Sequence, residues 1–238
     1  MSKKMKVLLL VDIQNDFCPG GALAVPDGDE VVAIANELMR SGKFDVVMAT
    51  RDFHPSDHLS FAVNQGKSPF EEGDVGGITQ TLWPAHCVQG TAGSEFHPDL
   101  ELDRVDVFVP KGTDREIDSY SGFFDNGHKR ETTLRSALLS HATFNRVDKL
   151  QDIELYVCGL ATDYCVAATV RDALELHIPT TLVVDGCRAI NMAPNDEVNT
   201  LRELASRGAT LTSSRELLTS ERAQPVHRTE RVHDGMHP

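Results

Sequence analysis

Continuous apolar runs recur along the chain, and stretches with helical spacing separate them. The apolar runs lie at residues 6–13, 44–50, 105–110, 153–158 and 180–185, with a short candidate at 210–212. The helical spacings lie at residues 29–39, 132–140, 166–176, 197–207 and 215–218. Unbroken apolar runs are typical of parallel strands that are covered on both faces. The alternation predicts an α/β protein, a doubly wound three-layer α/β/α fold with a mainly parallel sheet of about six strands.

Two stretches depart from this alternation. Residues 59–98 show no strong periodicity and are rich in Gly, Pro and His. Because long loops in compact domains usually have a function, we expect this one to contribute to a site. After about residue 220 the sequence turns polar, so we predict a C-terminal tail at 221–238 that stays mobile unless a neighbouring subunit binds it.

Composition narrows the class of protein. The 238 residues are ample for one domain with a sizeable core, and the net charge of −13 argues against nucleic acid and anionic membranes as partners. The longest apolar runs are too short to span a bilayer, and the N-terminus lacks a signal-cleavage pattern. Five scattered cysteines suit reduced thiols. We therefore expect a cytoplasmic protein, for which a homo-oligomer is left open.

The stretch G-L-A-T-D-Y-C-V, residues 159–166, joins a predicted strand to a predicted helix. It delivers Cys165 to the first helical turn, which Thr162 or Asp163 could cap. The helix dipole and free N–H groups would favour the thiolate, and the N–H groups could hold an oxyanion. Taken alone, this stretch is equally compatible with a buried structural cysteine.

Two further ionisable residues lie at the ends of predicted strands, Asp12 and Lys111. The carboxyl ends of parallel strands share one edge of the sheet, so both can converge with Cys165. Such a set suits acyl transfer: Asp12 moves the thiol proton, Lys111 steadies the charges, and Cys165 attacks to form a thioester. The alternative is that Asp12 caps a turn and Lys111 is a solvated strand end.

A second group of polar residues has the chemistry of a metal site. Asp52 and His54 alternate around Phe53, so they face the same way on an extended segment, while His86 must arrive from the long loop. A carboxylate with imidazoles suits zinc, iron or manganese. Because the chain has ten histidines, surface histidines in a loop remain the alternative.

A third group of residues could form a substrate pocket near these polar groups. Its members, which could enclose a flat substrate, are Phe17, Leu23, Val25 and Trp83, although Trp83 could equally be a core aromatic.

Five stretches together resemble the nicotinamidase branch of the isochorismatase-like cysteine hydrolases. They are V-D-I-Q-N-D-F-C-P-G-G-A-L-A-V, A-T-R-D-F-H-P-S-D-H-L-S-F, W-P-A-H-C-V-Q-G-T-x-G-S-E-F-H-P, K-G-T-D-R-E-I-D-S-Y-S-G-F and G-L-A-T-D-Y-C-V. They follow the family's order from about residue 6 to residue 215. The resemblance implies a single hydrolase domain over residues 1–220, which converts nicotinamide to nicotinic acid and ammonia in NAD salvage and also accepts pyrazinamide.

The resemblance also implies roles for individual residues. The catalytic triad would be Asp12, Lys111 and Cys165; the ligands of one divalent metal ion (Zn, Fe or Mn) would be Asp52, His54 and His86; the oxyanion hole would be the N–H groups of Ala161 and Cys165, with a cis peptide before Ala161; and the pocket would be lined by Phe17, Leu23, Val25, Trp83, Tyr120 and Tyr164. The implied role of the metal is to bind the pyridine nitrogen and so orient the ring.

Two positions depart from the family's pattern. His58 follows the D-x-H pair more closely than the further histidine ligand of some members does, so we expect it to hydrogen-bond near the metal rather than bind it. Tyr164 stands where other members often have His. Alternative functions are hydrolysis of another amide or of a vinyl ether within the superfamily, and a non-catalytic binding module on the same fold.

Overall fold

A six-stranded parallel sheet lies at the centre of the computed structural model, which describes residues 4–147 and 149–219. In chain order its strands are β1 (Met5–Val11), β2 (Val46–Asp52), β5 (Val107–Lys111), β6 (Ile153–Leu160), β7 (Thr180–Arg188) and β8 (Thr210–Thr212). The helices are α1 (Glu30–Arg40), α2 (Leu134–Phe144), α3 (Ala167–Glu175), α4 (Asp196–Ser206) and α5 (Ser214–Thr219). The predicted fold class and number of strands are confirmed.

The strand order across the sheet is β5-β2-β1-β6-β7-β8. The chain runs outward from β1 in one direction through β2 and β5, and in the other direction from β6 through β7 and β8. The order therefore reverses between β1 and β6, and ligands of open α/β sheets bind beyond the carboxyl ends of the strands at such a point. The fold alone directs attention to residues just after Val11 and Leu160.

The central strands are apolar along their whole length because helices cover the sheet. Every residue of β1 is buried except Lys6, which is partly exposed. The amphipathic helix α1 buries Val31, Ala35 and Leu38 and packs against β6 and β7. Burial of this kind stabilises a fold by about 25 cal/mol per Å² of apolar surface.

The long segment without periodicity contains a small hairpin that the sequence did not indicate. Strands β3 (Glu72–Val75) and β4 (Ile78–Thr81) pair antiparallel around Gly76 and Gly77, both at positive φ. Four-residue strands are too short to produce a clear alternation. The hairpin is tied to the sheet edge by Gln80, whose side chain donates to Asp118.

Some boundaries differ from prediction. Helix α2 begins and ends later than expected, at Leu134 and Phe144. Lys111 is the last residue of β5 rather than the residue after it. The predicted tail at 221–238 lies outside the described residues, and the single domain over 1–220 stays a prediction. No described helix combines the length and the apolar character that crossing a membrane requires.

Candidate active site

Lys111 lies at the centre of the edge where the carboxyl ends of β1, β2, β5 and β6 meet. Its ammonium nitrogen lies 2.9 Å from Oδ2 of Asp12 and 2.6 Å from Oδ1 of Asp52. The same nitrogen donates to the carbonyl of Ser119 at 2.9 Å and lies 3.4 Å from the sulfur of Cys165. The Lys111 side chain is fully buried. The two carboxylates beside it raise its pKa, although burial alone would lower it, so Lys111 is a permanent cation.

Asp12 follows β1 directly, and hydrogen bonds hold both its backbone and its side chain. Its backbone has φ of +50°, a left-handed conformation that costs a residue with a side chain on the order of 1 kcal/mol or more. Thr50 fixes the residue: its hydroxyl donates to Oδ1 of Asp12 at 2.6 Å and accepts the Asp12 N–H at 3.2 Å. Burial raises the pKa of Asp12 to about 6, against the opposing charge of Lys111. A carboxyl group with this pKa can both take and return a proton near neutral pH.

Cys165 lies on one π-helical turn, Thr162–Val166, between β6 and α3. The helix cap expected from Thr162 or Asp163 is not formed: among the described residues, no side chain makes a capping hydrogen bond to this turn. Asp163 instead accepts the backbone N–H groups of Ile190 at 3.0 Å and Asn191 at 2.8 Å. The turn is therefore anchored to the segment that follows β7.

The sequence prediction that Cys165 favours the thiolate is wrong for this environment. Burial raises the pKa of Cys165 well above its usual value; Lys111 lowers it, and the nearby carboxylates of Asp12, Asp52 and Asp118 raise it again. Desolvation and these negative charges disfavour the thiolate. The sulfur consequently needs a base, and Asp12 is placed to serve, since one of its oxygens lies within 4.8 Å of the sulfur.

Ala161 precedes this turn and lies beside the thiol. The peptide bond between Leu160 and Ala161 is cis, as the resemblance implied. The Ala161 carbonyl accepts the N–H groups of Tyr164 and Val166, both at 3.1 Å. Ala161 and Cys165 both border one cavity.

Asp52, His54 and His86 converge next to the lysine. Each offers one ligand atom, and the three atoms lie within 4.8 Å of one another. Nε2 of His54 lies 3.6 Å, and Nε2 of His86 3.8 Å, from Oδ2 of Asp52. In both rings Nδ1 is bound to a backbone carbonyl, of Gly112 at 2.7 Å and of Pro84 at 2.8 Å. A carbonyl can only accept a hydrogen bond, so Nδ1 is the donor in both rings, and Nε2, which faces Asp52, is the atom that could bind a metal.

The charges of this group also fit a cation. Burial would raise the pKa of Asp52, but Lys111 and His54 lower it below its usual range, so the carboxylate is ionised. Burial lowers the pKa of His86 to about 4, so that ring is neutral near pH 7. Burial alone would lower the pKa of His54, but Asp52 raises it, so a metal that binds this ring would displace its proton, as metal ligands require. The residues present therefore fit one divalent ion.

His58 and Asp118 lie beside the metal-ligand group. Nδ1 of His58 is 2.7 Å from the Ser60 hydroxyl, and its buried Nε2 has no hydrogen-bond partner among the described residues. Ligand atoms of His54, His58 and Asp118 also lie within 4.8 Å of one another. Sequence reasoning missed Asp118, although it lies two residues before Tyr120 in a quoted motif. The prediction that His58 is not a ligand stays a prediction.

One cavity connects the thiol to the metal-ligand group. It is lined by Phe17, Leu23, Asp52, Trp83, His86, Asp118, Tyr120, Ala161, Tyr164, Cys165 and Ile190. Five of the six expected pocket residues are among them; Val25 is buried but is not one of the described residues that line this cavity. Ile190 is a lining residue that the sequence did not indicate.

Three aromatic rings form one wall of this cavity. The indole N–H of Trp83 donates to the Tyr120 hydroxyl at 3.0 Å. The Tyr164 ring meets Trp83 edge-on with ring centroids 5.0 Å apart, and it meets Tyr120 at 5.8 Å. Edge-to-face pairs at these distances add to the stability of apolar packing. The cavity therefore has an aromatic wall, which suits a flat ring.

Comparison with known proteins supports the resemblance. The model of the isochorismatase domain matches residues 6–216. The chain is 45% identical to the nicotinamidase of Escherichia coli (strain K12) over 208 residues, 87% of this chain and 93% of that protein. It is 38% identical to the nicotinamidase of Acinetobacter baylyi over 212 residues, 89% of this chain and 94% of that protein.

Solved structures agree with the sequence comparisons. The Acinetobacter baumanii nicotinamidase/pyrazinamidase has a TM-score of 0.80 at 36% identity, covering 91% of this chain and all of the other. The yeast nicotinamidase bound to the inhibitor nicotinaldehyde has a TM-score of 0.79 at 32% identity, covering 88% and 100%. The Pyrococcus horikoshii pyrazinamidase in complex with zinc has a TM-score of 0.66 at 37% identity, covering 87% and 98%. With its sheet, its buried lysine and its cysteine turn, this chain belongs to the isochorismatase domain family.

Proposed function

We propose that the protein is a cytoplasmic amidase of NAD salvage, which hydrolyses nicotinamide to nicotinic acid and ammonia through a thioester on Cys165 and also accepts pyrazinamide. The observation that carries this proposal is the position of Lys111, which contacts Asp12, Asp52 and Cys165 through one buried nitrogen. Lys111 would thus bring a nucleophile, a base and a metal ligand next to one another.

The first half of the reaction makes the thioester. Asp12 takes the proton from the sulfur of Cys165, and the sulfur attacks the amide carbon. The N–H groups of Ala161 and Cys165 would hold the oxygen that gains charge. Asp12 then returns the proton to the amide nitrogen, the C–N bond breaks, and ammonia leaves.

The second half releases the acid. Asp12 takes a proton from water, the resulting hydroxide attacks the thioester carbon, and the C–S bond breaks. The proton then passes from Asp12 to the sulfur, which restores the thiol. Throughout the reaction, Lys111 stabilises the ionised forms of Asp12 and Cys165 by its fixed positive charge.

The substrate ring would lie between Phe17, Leu23 and the aromatic wall. Asp52, His54 and His86 would hold one divalent ion, which supplies a Lewis-acid contact for the pyridine nitrogen when it is bound. Such a contact would contribute to the rate mainly by orienting the ring, which places the amide at the thiol. The two relatives with nicotinaldehyde and zinc in their structures support this arrangement.

The metal-ligand group favours nicotinamide hydrolysis over the other activities that the family could have. Carbamoyl and ureido amidases or vinyl-ether hydrolases do not need a ligand for a ring nitrogen, whereas this chain has three convergent donors. A non-catalytic module would not need the buried lysine between base and thiol.

The direct test is ammonia release from nicotinamide by the purified protein, with and without a chelator. We expect release that stops in the Cys165→Ala protein and falls on removal of the metal. Absence of ammonia release from the metal-loaded protein would overturn the proposal.

A further inference from the structure

Ile190 borders the cavity from the side of β7, across β1 and β6 from the metal-ligand residue Asp52. It lies two residues past the end of β7, beside the turn that carries the thiol. Asp52 ends β2, and the strand order β2-β1-β6-β7 separates it from β7 by three strand spacings, about 14 Å. Cys165 and Ala161 follow β6, between the two. A substrate with its ring near Asp52 and its amide carbon at Cys165 would therefore have Ile190 on the side of the amide that faces away from the ring.

Asp163 holds Ile190 in this position. One carboxylate oxygen accepts the Ile190 N–H at 3.0 Å, and the other accepts the N–H of Asn191 at 2.8 Å. Asp163 lies on the turn Thr162–Val166, two residues before Cys165. Two hydrogen bonds to a single side chain on the turn of Cys165 therefore hold the backbone of Ile190 beside that turn.

The cavity leaves little room for additional atoms. Its volume is about 20 Å³, which is space for about one water molecule. A methyl group added to a bound amide on the side of β7 would lie toward Ile190, the residue after β7 that lines the cavity. Mismatch by one methyl group in an apolar pocket changes kcat/KM by about 10- to 200-fold.

We infer that Ile190 determines specificity for the leaving group, restricting the enzyme to primary amides, and that Asp163 is its positioning residue. This inference rests on the proposed function. In a secondary amide the carbon–nitrogen bond breaks in the same way, Asp12 protonates the nitrogen, and methylamine leaves instead of ammonia. The extra methyl group on that nitrogen would occupy the space that Ile190 fills.

The experiment compares nicotinamide with its amide-N-methyl derivative on one set of variants. The quantity measured is the ratio of kcat/KM for the secondary amide to kcat/KM for the primary amide. Because intrinsic reactivity is the same for every variant, only a change in the wall alters this ratio. We expect Ile190→Ala to raise the ratio about tenfold or more, and Ile190→Val to raise it less.

Leu23→Ala is the matched control, since it shortens another apolar wall of the same cavity. We expect it to lower kcat/KM for both amides without raising the ratio. An equal rise in Leu23→Ala would show general loosening and overturn the assignment of Ile190. Ile190→Val keeps the test valid if Ile190→Ala fails to fold.

Two variants separate positioning by Asp163 from a structural role. Asp163→Ala removes both acceptors and should raise the ratio several-fold, whereas Asp163→Asn keeps one carbonyl oxygen and should lie between it and the parent. If Asp163→Ala lowers the melting temperature but leaves the ratio unchanged, Asp163 has only a structural role, and its assignment as the positioning residue is wrong.

If the unsubstituted protein releases no ammonia from nicotinamide, the proposed function is wrong, and this inference is wrong with it. If the parent is active and the ratio is constant across all variants, only this inference fails.

Discussion

The ammonium nitrogen of Lys111 lies 3.4 Å from the sulfur of Cys165, and both side chains are buried. The lysine brings positive charge to a thiol that burial and three carboxylates keep protonated. Its other contacts, with Asp12 and Asp52, fix it between the base and the metal-ligand group. One buried cation therefore contacts all three side chains to which we assign roles.

We expect Cys165→Ala to lower nicotinamide turnover by ~10⁴-fold or more, because the nucleophile is lost. Cys187→Ala is the control, since Cys187 is also buried but lies on β7 outside the cavity. Ammonia release and circular dichroism of both proteins make the comparison. A substantial rate in folded Cys165→Ala protein would remove the nucleophile assignment.

Replacing Lys111 by Met should cost about 3–5 kcal/mol of unfolding free energy, because Asp12 and Asp52 lose their buried cation. Turnover should be lost as well. Urea unfolding of Lys111→Met is compared with that of Lys129→Met, whose lysine is exposed. Equal stability of the two variants would contradict a central role for the buried ion pairs.

The rate at low substrate should fall on acidification through about pH 6. Burial raises the pKa of Asp12 to about 6, and only its ionised form can take the thiol proton. Ionised Asp12 predominates above this pH, so kcat/KM should be level there and fall about tenfold per pH unit below it. The pH profile of kcat/KM between pH 4.5 and 8 is the measurement, and an unchanged rate at pH 5 would rule out Asp12 as the base.

His86→Ala should lower the metal content per chain, because His86 supplies one of three convergent donors. Elemental analysis after dialysis measures this content. His141→Ala on α2 is the control histidine and should bind metal as the parent does. Unchanged metal content in His86→Ala would contradict the assignment, and His58→Ala measured in parallel decides whether His58 is a ligand; we expect it to retain metal.

Benzamide should be a much poorer substrate than nicotinamide if the metal binds the ring nitrogen. The two amides share the scissile group and nearly the same shape, but benzamide has a C–H in place of the nitrogen lone pair. A site built around a polar contact rejects an analogue that lacks it by as much as ~10⁴-fold. The measurement is kcat/KM for both amides on the same metal-loaded protein, and near-equal values would reject coordination of the ring.

Much of the site could be predicted because strand ends are visible in the sequence. Asp12, Lys111 and Asp52 each end or follow an apolar run, and parallel strands place such residues on one edge. A different argument, from the helix dipole and free N–H groups, was wrong about the thiolate of Cys165. A pKa depends on how much water and how many charges surround the sulfur, and neither is encoded in the sequence around it.

The sequence by itself determined the alternation of strands and helices and the family, and it indicated the residues to which we assign the chemistry. Only the tertiary structure decided which distant residues join them. Asp118 reaches the cavity through a loop without periodicity, and Ile190 reaches it because β7 lies beside β6. The physical reason is that periodicity reports which face of an element is buried, whereas a site is made by the pairing of strands and by loops whose course depends on contacts far apart in the chain.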